Sequence, residues 1–210
     1  MKTLIYLLIT FTVAFISVMY LNMAGMKIAL YLIITGFALV GASAFTAAFS
    51  RWWGEKGGQM ATIIFRNLLG IPLWVTGFVL AWLEPSPFLF NPSLWTQPLG
   101  VLLIIAGAIP FIWGHIELGW RTHMPSVKDT LVRNGLCAYV RHPIYAGGFF
   151  ILAGLALLKP TYSFAVACAL GVVWLMIQAQ LEEIDLKQRL PEYREYMKEV
   201  SRFMPRFRRR

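Results

Sequence analysis

The chain is 210 residues long, 58% hydrophobic and only 14% charged, against roughly 25% charged and 45–50% apolar in an ordinary soluble domain. That composition describes a membrane protein and excludes intrinsic disorder and a coiled coil. Cys137 and Cys168 are too few for a disulfide scaffold, and nineteen Lys and Arg against ten Asp and Glu leave a net charge of +9.

In chain order, six stretches contain no charged residue: Leu4–Tyr20, Ile28–Phe49, Asn67–Leu83, Leu99–Gly114, Ile144–Leu158 and Tyr162–Ala179. They hold 105 residues, half the chain, and the other half carries all 29 charges. As helices they reach about 22–33 Å, against roughly 30 Å of hydrocarbon, so six transmembrane helices are expected. The fold class is therefore all-α and polytopic. The first run follows a lone Lys2 and precedes no small-x-small cleavage pattern, so it reads as a retained anchor. The fifth is the shortest, and a tilted or half-depth hairpin with the sixth across Lys159-Pro160 is an alternative to a full crossing.

Six crossings place seventeen of the nineteen cations on one face, with Lys27 and Lys159 on the other. Lys and Arg in short loops stay cytoplasmic, so both termini are expected in the cytoplasm. The proline-rich stretch Glu84–Pro98 reads as an outer connector with Trp82 and Trp95 as interfacial anchors. The inner stretch Ser50–Phe65, with Trp52, Trp53 and Gly57-Gly58, reads as a surface connector. The last five residues, Arg206-Phe-Arg-Arg-Arg210, suit anionic lipid headgroups at about 1 kcal/mol per cation rather than nucleic acid.

Polar groups concentrate after residue 114, which divides membrane helices one to four (1–114) from a candidate catalytic region (115–210). His115, Glu117, Arg121 and His123 leave the fourth run, followed by Tyr139-Val-Arg141-His142-Pro143-Ile-Tyr145-Ala-Gly147-Gly148. Pro143 suits the first turn of a helix and biases His142 away from helical geometry. Arg141 and His142 thus stand before a helix N-terminus, where exposed N–H groups, the dipole and a guanidinium suit an anion site, the alternative being an interfacial Arg-His pair that snorkels to lipid headgroups. Gly147 and Gly148 admit a ligand or another helix. At the end of the sixth run Glu182 and Glu183 follow the apolar stretch directly, whereas Asp185, Glu192, Glu195 and Glu199 read as solvated charges. In a hairpin the cationic motif and the carboxylate pair meet at one surface, which suits a ligand with one anionic end and one cationic or hydroxyl-bearing end.

These residues resemble a known family. Gly135–Gly147, with Tyr139-Val-Arg-His-Pro-Ile-Tyr145, then Leu181-Glu-Glu, then Pro191-Glu-Tyr193-Arg-Glu-Tyr196 through Arg202 to Pro205, look like the isoprenylcysteine carboxyl methyltransferase and phospholipid methyltransferase superfamily. Leu118-Gly119-Trp120 resembles the step before its variable loop. The chain departs from the family's usual Gly-Pro-Tyr at Gly135-Leu136-Cys137, and from its Phe-Gly at Arg189-Leu190-Pro191. The resemblance implies an integral membrane methyltransferase using S-adenosylmethionine at the cytoplasmic face. It implies Tyr139, His142, Pro143, Tyr145, Gly147, Glu182 and Glu183 as cofactor-binding and Arg141, His142 and Glu183 as catalytic, with Arg141 serving the cofactor carboxylate or an anionic substrate. The acceptor it implies is lipophilic: an isoprenylcysteine-like carboxylate, a phospholipid amine or a small thiol.

An amine or thiol acceptor needs its proton removed, for which His142, His115 and Glu117 are candidates; His115 and Glu117 also read as a helix-end polar pair. No metal is expected, because the three histidines lack ligand spacing. Two other functions stay open: an NADPH-dependent membrane reductase of the sterol-reductase type, and a non-catalytic membrane scaffold or transporter subunit. Against the latter, no charge lies inside any run to mark a transport path. The oligomeric state is not legible.

Overall fold

The structure, a computed structural model, describes residues 28–205. The expected first helix, Leu4–Tyr20, and the terminal Arg206–Arg210 lie outside the described residues. Among the described residues the elements are α1 (Ile28–Ser43), α2 (Thr46–Thr62), a π-helical segment (Ile63–Gly70), α3 (Ile71–Leu83), α4 (Thr96–Leu118), α5 (Pro143–Leu158), α6 (Tyr162–Arg189) and the short α7 (Tyr193–Glu199). No strand forms among them, only two isolated bridges.

The remaining five apolar runs are all helical, with one correction. Ile28–Phe49, expected as a single helix, stops at Ser43 and restarts at Thr46. Ser43 turns its hydroxyl back onto the Val40 carbonyl at 2.6 Å, a bond that competes with the helical ladder. The new helix start is satisfied from far away, because Asp185 accepts the Ala47 N–H at 2.7 Å. Gly54, at φ +74°, then folds α2 back on itself. Among the described residues, three helical stretches are long and apolar enough to cross a membrane: Thr46–Leu83, Thr96–Thr122 and Tyr162–Arg189. Ile28–Ser43 and Pro143–Leu158 are apolar but shorter, at 16 residues or about 24 Å each.

Glycines set the packing. Gly100, Gly107 and Gly114, seven residues apart, are the buried positions of α4. A Cβ on Gly107 would stand 2.5 Å from the Gly147 carbonyl oxygen, one on Gly154 would stand 2.5 Å from the Gly100 carbonyl oxygen, and Gly114 faces Pro143 and Ile144. So α4 and α5 run antiparallel with their backbones in contact, the membrane solution in which small residues replace a hydrophobic driving force. α1 and α3 meet in the same way, Gly36 against Trp74 and Gly70, and Gly77 against Ala29. α6 joins the two pairs: Trp174 stacks on Phe37 of α1 at 5.1 Å, and Phe164 meets Phe78 and Trp82 of α3 edge-on.

At one end the connector 84–95 is pinned to the α5–α6 turn, with Leu89 N–H donating to Pro160 and Tyr162 N–H to Pro87. The opposite end gathers Arg66 of the π-helical segment, the loop 119–142, the polar end of α6, and α7 with the strand-like tail 200–205. The functional residues lie there.

Candidate functional site

Pro143 occupies the first helical position of α5 and His142 is its N-cap at φ −125°, ψ 68°, as the missing proline N–H and the clash with its ring dictate. The extended backbone this leaves at 140–142 pairs with the tail: Arg141 N–H donates to Ser201 and His142 N–H to Arg202, at 2.8 and 3.0 Å. The polar end of α6 lies beside it. The helical rise brings Gln178 onto Glu182 and Asp185 onto Arg189 one turn apart, and aims Glu182 and Glu183 at the α5 N-terminus.

Glu183, with its side chain 3% exposed, is fully engaged. Its Oε1 accepts from Arg141 Nε and Nη2 at 3.0 and 2.9 Å and from Arg202 Nε at 3.0 Å. His142 Nε2 lies 3.3 Å away, and Oε2 takes Arg202 Nη2 at 2.6 Å. Arg141 Nη1 donates to the Met197 and Val200 carbonyls. A buried carboxylate is stable only with such a set of charged donors. Glu182 is different. Its Oε1 accepts from Tyr145 Oη at 2.5 Å, Gln178 Nε2 at 3.1 Å and Arg66 Nη2 at 3.4 Å, but among the described residues Oε2 has only His142 Nδ1, at 3.8 Å. The His142 ring stacks on Tyr145, 5.4 Å between centroids and 7° from parallel.

Glu182, His142, Pro143 and Tyr145 line a cavity of about 220 Å³, near the small end of ligand sites. Tyr193 also lines it; this residue is 2% exposed, and its hydroxyl has no hydrogen-bond partner among the described residues. Burial first, and then the nearby Glu183 charge, raise the Tyr193 hydroxyl pKa, so it stays a neutral donor. Arg66, Arg121, His115 and His123 supply positive or basic groups to the wall. Burial, then His115 and Arg66, lower the His123 pKa below its ordinary value. The site thus offers an open carboxylate oxygen, an unpartnered hydroxyl, an aromatic stack and cations around one space.

Some expected site residues are placed differently. Arg141, read as the grip for a ligand anion, has four of its five N–H donors committed to Glu183, Met197 and Val200. Gly147 lies in the α4–α5 interface against Gly107, and Gly148 lies against Leu175 of α6. Tyr139 is 65% exposed and outside the cavity wall. Glu117 accepts Trp113 Nε1 at 2.7 Å and the Leu136 N–H at 2.9 Å, and so caps the turn Gly135–Ala138. His115 Nδ1 sits 2.8 Å from the Phe111 carbonyl. Cys137 is 2% exposed, and its thiol pKa is pushed up to about 11 by burial and by Glu117, which marks an inert thiol.

Asp185 corrects the reading of a solvated charge. It is 2% exposed, caps Ala47 and pairs with Arg189 at 2.6 Å, and Arg189 reaches Asp129 and the Ser126 carbonyl. Arg66, Arg202 and Tyr193 carry contacts that the sequence reading did not assign. For Arg202 and Tyr193 the signal was their place in the C-terminal motif; Arg66 had none beyond standing next to Asn67 at the head of an apolar run.

The phospholipid methyltransferase family matches residues 95–190. Among the described residues the chain also has helices long and apolar enough to cross a membrane. The matched family falls within the superfamily that the Arg-His-Pro and Glu-Glu motifs resemble. The matched stretch includes all of α4, α5 and α6 and stops before Tyr193 and Arg202. Neither the curated proteins nor the solved structures compared with the chain provided a match.

Proposed function

We propose that the protein transfers a methyl group from S-adenosylmethionine to a lipophilic acceptor delivered through the bilayer, at the cytoplasmic face. The observation that carries this reading is the meeting of Tyr145, His142 and Glu182 on one cavity inside the family-matched stretch. The groups present fit the cofactor: Glu182 Oε2 is an open acceptor, and the Tyr193 hydroxyl is a buried donor without a partner. When bound, the cofactor supplies a methyl group on a sulfonium centre.

The chain's own residues hold and align. Glu182 accepts a hydrogen bond from a ribose hydroxyl or from the methionine ammonium, and Tyr193 donates to a polar atom of the ligand. The stacked His142 and Tyr145 rings, at the Pro143 start of α5, form a rigid wall. Arg141 and Glu183 act behind that wall, fixing the α5 N-terminus to the tail 200–202. Alignment of donor and acceptor about 3–3.5 Å apart, with water excluded, is what methyl transfer to a carboxylate or thiolate requires. For an amine or thiol acceptor, His123 and His115 stand on the cavity wall to take the proton. The basic segment Arg206–Arg210 docks on anionic headgroups.

The test is methyl transfer itself. Purified protein, a radiolabelled methyl donor and a membrane lipid extract are expected to yield a labelled lipid, and Glu182→Gln is expected to lose at least nine-tenths of that label. No labelled species from wild-type protein overturns the reading.

A further inference from the structure

We propose that Arg66, outside the family-matched stretch, is a positioning residue that fastens the ligand-facing carboxylate of Glu182 to the loop closing the cavity. The inference rests on the reading above for the identity of the ligand and on geometry for everything else. Arg66 lies on the π-helical segment Ile63–Gly70, a conformation concentrated at functional positions. One arm of its guanidinium, Nη2, is 3.4 Å from Glu182 Oε1; the other, Nη1, donates to the Thr122 carbonyl at 2.8 Å. Its neighbour Asn67 donates from Nδ2 to the next carbonyl along, His123, at 3.1 Å.

The segment so held is the one that needs holding. After Gly119 the chain makes a single 3-10 turn to Thr122 and then runs without a helix as far as Gly135. This stretch brings His123, Pro125, Asp129 and Leu131 to the cavity wall. A third contact comes from α2, where Glu55 accepts from Ser126 Oγ at 2.7 Å and pairs with Lys128 at 2.6 Å. The N-terminal half therefore holds the loop from outside, and Arg66 alone among these contacts also touches Glu182. Both side chains of that pair are only about one-fifth exposed, 20% and 22%, so solvent screens their attraction weakly. Removing Arg66 releases the Thr122 end of the loop, which Asn67, Glu55 and Arg189 hold only further along at 123–129, and leaves Glu182 Oε1 to Tyr145 and Gln178, so that Oε2 is less firmly held in one direction.

A double-mutant cycle reads this coupling, because residues acting as a unit give non-additive effects. Purified protein in detergent is titrated calorimetrically with S-adenosylhomocysteine, and amide exchange is followed over residues 119–124. Arg66→Gln is expected to weaken binding at least fivefold, Glu182→Gln at least tenfold, and the double variant no more than twofold beyond Glu182→Gln. Amides 119–124 exchange at least fivefold faster in Arg66→Gln. Wild-type affinity in Arg66→Gln, factors that multiply in the double variant, or unchanged exchange each overturn the proposal. If Arg66→Gln does not fold, Arg66→Lys serves: it keeps the charge near Glu182 and is expected to bind within twofold of wild type while the loop still exchanges fast. Slow exchange there overturns the proposal. Absence of binding by wild-type protein removes the methyltransferase reading instead, and exchange at 119–124 then decides the role of Arg66 on the loop.

Discussion

Arg202 grips both oxygens of Glu183, with Nε 3.0 Å from Oε1 and Nη2 2.6 Å from Oε2. Together with the backbone pairing of Ser201 and Arg202 to residues 141 and 142, this bond closes the C-terminal tail over the α5 N-terminus. Arg202→Gln removes one of two guanidinium partners from a buried carboxylate while Arg141 stays. The expected cost is about 1–3 kcal/mol, reduced by the partial exposure of Arg202. Limited trypsin digestion is expected to cut near Lys198 sooner in the variant. Equal cutting rates contradict the clasp.

The α4–α5 contact depends on the absence of side chains. A Cβ at Gly147 would stand well inside contact distance of the Gly107 carbonyl oxygen. Gly147→Val is expected to force the helices apart and cost about 1–3 kcal/mol, read as a lower unfolding midpoint in detergent. Ala146→Val, one position round the helix, is the comparison, expected to lower the midpoint less. A reversed order contradicts the interface.

Two glycines with nearly the same positive φ help to separate strain from crowding. Gly119 and Gly135 have φ of +54° and +57°; a Cβ at Gly119 meets nothing within 4 Å, whereas one at Gly135 would overlap the Glu117 carboxylate. Gly119, at φ +54° and ψ −136°, lies outside the left-handed helical well, and Gly119→Ala is expected to cost about 1–3 kcal/mol of backbone strain. Gly135→Ala adds displacement of the carboxylate that caps Leu136, and is expected to cost at least about 1 kcal/mol more than Gly119→Ala. Equal costs in unfolding by denaturant would mean that Glu117 does not hold that turn.

With its pKa raised to about 11, Cys137 is a thiolate only to about one part in a thousand at pH 8. Because the shift is upward, reactivity grows as pH rises toward 11. Maleimide labelling of the Cys168→Ala variant is expected to be negligible at pH 7–8 in detergent and complete after unfolding. Rapid labelling of the folded protein at pH 7 contradicts the buried setting.

The helices were legible because a charge in hydrocarbon is expensive, so charge-free runs mark them, and Pro143 located the α5 start to within one residue of the run at Ile144. The break at Ala44-Phe45 was not legible, since it depends on Asp185, 138 residues from the N–H it accepts. Arg66 and Glu182 are 116 residues apart, and neither end of that pair announces the other. The motif Arg141-His142-Pro143 and the pair Glu182-Glu183 were legible as groups that converge; which oxygen stays open was not. That division follows from Arg202 and Arg141 both falling on Glu183, leaving Glu182 Oε2 without a close donor among the described residues. The glycine ladder Gly100, Gly107, Gly114 is a seven-residue repeat whose meaning needed the partner glycines of α5.

Calorimetric titration of purified protein with S-adenosylhomocysteine, and separately with NADPH, tests the central claim most directly. Saturable binding of the first alone is expected, weakened at least tenfold by Glu182→Gln and by His142→Ala, about 1.4 kcal/mol. Binding of NADPH without binding of S-adenosylhomocysteine would contradict it.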